Sequence, residues 1–387
     1  ITPYAAVKNI AIALMIVVSI TVFIVSIQKN IPKNVASAIL YYFLITLFFV
    51  CNGVFRGNPG VWSITKVYFI LALMYSIIAL WFDSYNKLIF FHKILVAVSI
   101  VIILYVICLS LGVDLFFINK GDHFNSSSLS YELKCTPTIV FLIGYFVAYY
   151  CLVPGYEVPI IRQACIITLS FIIICLLGCK VMMILYFPLV FFLRMWIFRN
   201  IKKNRSFSPG LLRHSKNKFR MVLSFLLSMS IVILFFSFSR INSYVNSKIS
   251  DIQKYDINIR ALDAHSLLDT LKHHFLIGAG FGHVSTYIRS ASTPWTHELF
   301  YLQFISNVGI LGIFLYGLLV FISIKGIKRV LIQSSQYVRF MCATCSGLAF
   351  FLALNISNTW IGPFTLWMFV TPLMVCLSYY NSEKNKE

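Results

Sequence analysis

The chain has 387 residues, of which 59% are hydrophobic and only 11% are charged, and its formal net charge is +20. A soluble domain carries about 25% charged residues and needs a wetted exterior, so this composition excludes soluble enzymes, secreted domains and disordered chains. The class that remains is an integral membrane protein whose apolar segments cross the bilayer as helices.

Eleven apolar segments are long enough to span a bilayer, which predicts an all-α, polytopic membrane protein with about 11–12 transmembrane helices. They lie at about residues 9–27, 35–55, 61–82, 94–117, 135–153, 164–179, 181–198, 221–239, 299–324, 340–357 and 360–380. The sixth and seventh segments are separated only by a polar break around Cys179 and Lys180.

The loop 199–220 sets the predicted orientation, because it holds eight Lys and Arg residues and no acidic residue. Such loops stay in the cytoplasm. Alternation of the spans then places 118–134 and 240–298 outside. The chain divides into N-terminal transmembrane helices (1–239), a periplasmic loop (240–298) and C-terminal transmembrane helices (299–387). The positive charge lies mostly in loops between spans and no nucleic-acid-binding motif is present, so we predict no nucleic-acid partner.

The outer loop 240–298 is the only extended hydrophilic segment of the sequence, and it contains five of the eight histidines. Within it, Leu267, Leu268, Leu271 and Phe275 fall on one helical face, which predicts an amphipathic helix over 262–276 at the membrane boundary. The helix should end at Gly278, since glycine commonly terminates helices.

A glycine-rich stretch, Gly278-Ala-Gly280-Phe-Gly282, follows the predicted helix. No strand precedes it, so it is not a dinucleotide-binding loop, and we interpret it as a tight turn. His297 then stands at the outer mouth of the span 299–324, in which Gly309 and Gly312 are spaced for close helix packing. The histidines lack a metal-ligand spacing, and we predict neither a metal nor another cofactor.

Taken in order, these motifs resemble the C-terminal region of the O-antigen ligase and O-antigen polymerase superfamily, over about residues 255–325. The matching residues are Arg260, Gly278-Ala-Gly280-Phe-Gly282, His297-Glu298 and Gly309-Ile310-Leu311-Gly312. The resemblance implies a C-type glycosyltransferase-like fold in the bacterial inner (cytoplasmic) membrane. It also implies metal-independent transfer of a saccharide from undecaprenyl pyrophosphate to an acceptor hydroxyl at the periplasmic face.

The resemblance assigns the motif histidine to His297 and the loop arginine to Arg260, and a second family cation corresponds to Lys180. A neutral imidazole can take the proton of the incoming hydroxyl. Fixed cations can meet the charge that grows on the departing pyrophosphate, and arginine does so with two parallel hydrogen bonds. Members of the family usually have arginine at the position of Lys180, and they often have His-Asn at the position of His297-Glu298.

Three further residues are candidates for substrate binding. Glu298 is an alternative base, or a group that orients the histidine. Arg289 and Arg56 are outer cations that could contact the lipid pyrophosphate.

The departures at Lys180 and Glu298 favour an O-antigen polymerase, which joins undecaprenyl-pyrophosphate-linked repeat units. An O-antigen ligase, which transfers the glycan to lipid A–core, is the alternative. A lipid-linked sugar transporter is less favoured, because the spans are nearly uncharged and show no paired repeats. The expected partners are the lipid-linked oligosaccharide and membrane lipid, and the sequence leaves open whether a chain-length regulator binds.

Overall fold

The computed structural model describes residues 33–111, 122–125, 130–153, 158–201, 230, 257–288, 291, 293–356 and 365–384. The predicted span 9–27, the span 221–239 apart from residue 230, and most of the basic loop 199–220 lie outside the described residues.

The described chain is predominantly helical. Its α-helices are α1 (Lys33–Phe55), α2 (Val61–Trp81), α3 (Tyr85–Ser110), α4 (Thr136–Val147), α5 (Ile160–Leu176), α6 (Lys180–Ile201), α7 (Ile257–His273), α8 (Phe300–Gln333), α9 (Val338–Leu354) and α10 (Trp367–Lys384). A π-helical turn, Ala148–Leu152, continues α4. The short antiparallel strands β1 (His123–Asn125) and β2 (Ser130–Glu132) pair with Phe124 opposite Tyr131. The predicted helical class is confirmed, with this small hairpin as an addition.

Three helical segments in the described part of the chain are long and apolar enough to cross a membrane. They are Tyr85–Ser110, Val181–Ile201 and Phe300–Gln333, with 26, 21 and 34 residues. In hydrocarbon every backbone polar group needs an internal partner, and a helix supplies one within a single segment. The structure therefore supports a helical membrane protein, while the count of eleven spans stays a prediction.

Several helix boundaries differ from the apolar segments in the sequence. The span predicted at 94–117 begins already at Tyr85 and ends at Ser110. At this start Lys87 pairs with Asp83, four residues earlier, at 2.8 Å, a surface ion pair that adds a few tenths of a kcal/mol. The break predicted around Cys179 and Lys180 is confirmed, since α5 ends at Leu176 and α6 begins at Lys180.

The helix α8 is broken inside its predicted span. Gly309 has φ 62° and ψ −170°, which interrupts the helical hydrogen bonding. Gly312 fits the predicted close packing, because a Cβ there would lie 2.9 Å from the Phe49 ring. At Gly309 the neighbour is the chain backbone of residues 276–278, and a Cβ there would lie 2.4 Å from Gly278 N.

The chain forms two compact units, each assembled from separated stretches. The first takes in the described residues of Ile1–Leu88, Ala261–Gly326 and Ile361–Glu387, and the second those of Ile89–Arg260 and Ile327–Trp360. In the second unit α4 packs closely against α9, where Gly144 meets Phe350 and Gly347 meets Phe141.

The core of the first unit positions the glycine-rich loop. It is a cluster of buried side chains from α1, α2, α8 and the glycine-rich loop, namely Ile45, Phe49, Val50, Val61, Phe281 and Val308. Phe281 is fully buried and stacks on Tyr68, with ring centroids 4.6 Å apart. The loop 278–282, which lies within the hydrophilic segment 240–298, is thus anchored in the apolar core by its own aromatic residue.

Candidate functional site: a buried histidine–aspartate pair

The glycine-rich loop 278–282 repairs the break in α8. In a regular helix the Ile310 and Leu311 amides would donate to the carbonyls of Ser306 and Asn307. Here those two carbonyls accept from the loop and those two amides donate to the chain just before it. The four hydrogen bonds are Ala279 N to Ser306 O and Gly280 N to Asn307 O, each 2.9 Å, and Ile310 N to Phe275 O and Leu311 N to Leu276 O, each 3.0 Å. Two glycine motifs that are separate in the sequence therefore form one structural feature.

The other side of the loop lies on the turn between α1 and α2. Gly60 N donates to Gly282 O at 3.1 Å, and the Asn58 amide donates to the carbonyls of Ala279 and Phe281 at 2.9 and 3.1 Å. A phosphate-binding loop aims its N–H groups at the ligand. Here the N–H groups of Gly278, Ala279 and Gly280 donate to protein carbonyls. The tight-turn interpretation is confirmed.

His297 lies in the turn before α8 and is only 3% exposed. Its Nδ1 is 2.6 Å from Oδ1 of Asp263, and both side chains are 2% exposed. An ionised carboxylate only accepts hydrogen bonds, so Nδ1 carries the proton and Nε2 is the basic nitrogen. The arrangement is that of a general base whose orientation is fixed by a buried acid.

Asp263 is held there by α7. This helix confirms the one predicted over 262–276, but it spans Ile257–His273 and buries a different face. The most buried positions on it are Asp263, Ser266, Leu267 and Thr270, whereas Leu268 and Phe275 are 46% and 58% exposed. Polar residues occupy the protein-facing side because that side forms the site, and part of the predicted leucine face points outward.

The segment 285–287 covers the pair and is tied to the same helix. Ser266 Oγ accepts from the Tyr287 amide at 2.9 Å and lies 2.9 Å from Thr286 Oγ1. Ser285 Oγ donates to the Tyr287 carbonyl at 3.1 Å and is 3.4 Å from His297 Nε2. This spatial arrangement, Ser285 beside His297 and His297 beside Asp263, is that of the serine, histidine and aspartate in a hydrolytic triad. The single hydroxyl proton of Ser285 is directed at a carbonyl, so we assign Ser285 to holding the loop.

A row of basic groups begins at Arg56, which is exposed at the end of α1. Its Nε donates to Asn52 Oδ1 at 3.0 Å, and its Nη1 lies 2.9 Å from His274 Nδ1. A guanidinium can only donate, so Nδ1 of His274 accepts and the ring is neutral. The ring of His283 follows, with its centroid 6.1 Å from that of His274. His274 thus links Arg56 to His283.

Burial and neighbouring positive groups depress the pKa of both histidines. For His274 the pKa is lowered first by burial and then by Arg56 and His273. For His283 burial again acts first, followed by His274, Arg56 and His297. The row therefore keeps these imidazoles neutral near pH 7 and leaves Arg56 as its permanent charge.

This row predicts a pH-dependent stability. Below about pH 6.5 the unfolded chain protonates His274 and His283, while the folded chain resists because its pKa values are lower. The unfolded state then binds more protons, so stability should be greatest above that pH and fall as the pH drops. Thermal unfolding of the detergent-purified protein at pH 7.5, 6.5 and 5.5 measures the effect. The H274Q/H283Q double variant should show a shallower decline, and an unchanged decline would contradict the assignment.

Three of the remaining predicted site residues lie within the described part of the chain. Arg260 lies on α7 one turn before Asp263 and is half-buried. Glu298 is half-buried beside His297, and the carboxylate at Nδ1 is that of Asp263 rather than that of Glu298. Lys180 is the first residue of α6 in the second unit. Arg289 lies outside the described residues.

Sequence reasoning missed Asp263, although the sequence carries a signal for it. Asp263, Ser266 and Thr270 recur with helical spacing along the predicted amphipathic helix, which places three polar residues on one stripe. Within the described ranges no three His, Cys, Asp or Glu side chains gather as they would around a metal ion. The described groups can transfer a proton and attract an anion.

Fold and site together define a helical protein with apolar helices of membrane-spanning length and a buried histidine–aspartate pair under an anchored loop. No family model matches the chain, and no similar curated protein or solved structure was found. What supports a function is therefore the geometry of this site and the ordered motifs that build it.

Proposed function

We propose that the chain is a membrane glycosyltransferase of the O-antigen polymerase type, acting at the periplasmic face of the bacterial inner membrane. It would join oligosaccharide repeat units carried on undecaprenyl pyrophosphate. The observation that carries the proposal is the buried pair of His297 and Asp263, held 2.6 Å apart within the segment that bears the family-like motifs. The basic row that starts at Arg56 adds support.

The proposed reaction needs a base and a stabilised leaving group. The acceptor hydroxyl oxygen attacks the anomeric carbon of the first sugar on the donor. The bond from that carbon to the pyrophosphate oxygen breaks, and the lipid pyrophosphate leaves with the electron pair. The hydroxyl proton passes to Nε2 of His297, the nitrogen that Asp263 leaves unprotonated.

Cations stabilise the pyrophosphate as its charge grows. Arg56 is exposed, so its guanidinium can reach a phosphate of a lipid at the membrane boundary. The family resemblance, rather than a contact in the structure, nominates Arg260 and Lys180 as further cations for the leaving group. A fixed positive charge near a low-dielectric boundary stabilises the transition state more strongly than it would in water.

Electrophoresis of lipopolysaccharide from cells that lack the gene tests the proposal. A polymerase deletion should leave lipid A–core carrying a single repeat unit, and the wild-type gene should restore the ladder of longer chains. Bare core together with long chains accumulating on undecaprenyl pyrophosphate would identify a ligase instead. An unchanged ladder would overturn both, and movement of intact lipid-linked substrate across reconstituted vesicles would then identify a transporter.

A further inference from the structure

We propose that Asp263 is the positioning residue of the base, and that it sets both the tautomer of His297 and the charge that His297 can accept. The inference rests on the proposed function for its kinetic consequence, but not for its geometry. Asp263 is not one of the motif residues of the family resemblance, and the structure places its Oδ1 2.6 Å from His297 Nδ1.

Asp263 determines which nitrogen of His297 carries the proton. A neutral imidazole exposed to water exchanges its proton between Nδ1 and Nε2. A carboxylate beside Nδ1 accepts a hydrogen bond from the Nδ1–H group, so the proton stays on Nδ1 and the lone pair on Nε2. Both side chains are 2% exposed, so water does not compete for this hydrogen bond. Each encounter with an acceptor hydroxyl then meets the basic tautomer.

The negative charge of Asp263 also stabilises His297 once the ring is protonated. Asp263 Oδ2 is buried and has no hydrogen-bond partner among the described residues. A buried carboxylate that is satisfied on one oxygen alone is unfavourable beside a neutral ring. When the hydroxyl proton reaches Nε2 the ring becomes an imidazolium, and the pair becomes a buried ion pair. Asp263 therefore stabilises the state in which the proton has moved more than the state before it moves.

The helix α7 holds Asp263 in position. Asp263 and Ser266 lie one turn apart on the buried face of α7. Asp263 contacts His297, while Ser266 accepts from the Tyr287 amide. One rigid helix thus fixes the base and the loop that covers it, which is the arrangement expected when a side chain must be held within a fraction of an ångström.

The kinetic test compares Asp263→Asn with Asp269→Asn, using the full chain in detergent and a lipid-pyrophosphate-linked oligosaccharide donor. Asp269 lies on the same helix, and its side chain is 43% exposed. Among the described residues its one ion-pair partner is the ring of His273, at 3.9 Å. We expect D263N to lower kcat about 10²–10⁴-fold with a nearly unchanged KM for the donor, and D269N to change kcat less than about twofold.

A double-mutant cycle separates positioning from loss of structure. If Asp263 acts through His297, the D263N/H297A protein should be no slower than H297A alone. Independent, multiplying losses would show that Asp263 acts elsewhere and would overturn the inference. Equal activity of D263N, D269N and wild type would also overturn it, while leaving the proposed function intact.

A spectroscopic test needs no activity. In the full chain labelled with ¹⁵N-histidine and reconstituted in lipid, the His297 resonances are identified by their loss in His297→Gln. We expect the Nδ1–H tautomer in the wild type and its loss in D263N, with D269N like the wild type. An Nε2–H tautomer in the wild type would overturn the inference even if transfer occurs. If the wild type shows no transfer but has the expected tautomer, the proposed function alone fails.

Discussion

If His297 is the base of the proposed glycosyl transfer, its replacement by alanine should lower the transfer rate about 10²–10⁴-fold, because no positioned group then takes the hydroxyl proton. The KM for the lipid-linked donor should change little, since the histidine acts on the acceptor. The measurement is the initial rate of chain extension by purified protein on a defined donor and acceptor. His265→Ala is the matched control, because His265 is an exposed histidine on α7.

Ser285→Ala distinguishes this base from a hydrolytic triad. If His297 acts directly on the acceptor, loss of the Ser285 hydroxyl should cost less than about tenfold in rate, an effect on loop position alone. A serine nucleophile would make S285A as slow as H297A, because members of a triad fail together. Wild-type activity in H297A would contradict the base assignment altogether.

Gly282→Ala is expected to cause the largest loss of stability of any single change in the loop. Gly282 has φ 75°, and a Cβ there would lie 2.1 Å from the backbone of Gly60 and Val61. The two backbones would have to separate and would lose the hydrogen bond from Gly60 N to Gly282 O. We expect a cost of about 4 kcal/mol, which is at the upper end for a point mutation. Thermal unfolding in detergent and the amount of protein in membranes measure it.

Gly57→Ala is the control for this change. Gly57 has nearly the same backbone angle, φ 69°, but a Cβ there meets nothing within 4 Å. Only the strain of a left-handed residue remains, which costs about 1–2 kcal/mol. Equal destabilisation by the two substitutions would show that the close approach of the loop to the α1–α2 turn does not contribute to the loss of stability in G282A.

The helices could be predicted from the sequence, because continuous apolar runs have few alternatives in a membrane. The amphipathic helix at 262–276 was also predicted, but its buried face was not. Apolar periodicity points to the leucines, whereas the buried polar positions are Asp263, Ser266 and Thr270. Asp263 and Ser266 have partners in His297 and Thr286, and Thr270 donates to the Ser266 carbonyl one turn earlier. A pairing between residues 34 positions apart leaves no local pattern in the chain.

The role of Gly309 shows a second limit of sequence reasoning. Glycines three positions apart in an apolar span indicate close helix packing, and Gly312 fits that rule. Gly309 instead opens the helix, since it adopts φ 62°. The break is tolerable only because the loop 278–282 and the residues before it satisfy the freed backbone groups, and no rule of local spacing includes a partner so far away.

The exchange of hydrogen bonds at Gly309 also makes α8 a reporter on the docking of residues 275–282. The Ile310 and Leu311 amides are protected from solvent exchange by the carbonyls of Phe275 and Leu276, not by their own helix. Their exchange with deuterium should thus follow undocking of the loop, whereas amides a turn further along α8 should follow opening of the helix itself. Two amide protons of α8 therefore measure how often the chain around the glycine-rich loop leaves its place against the break at Gly309.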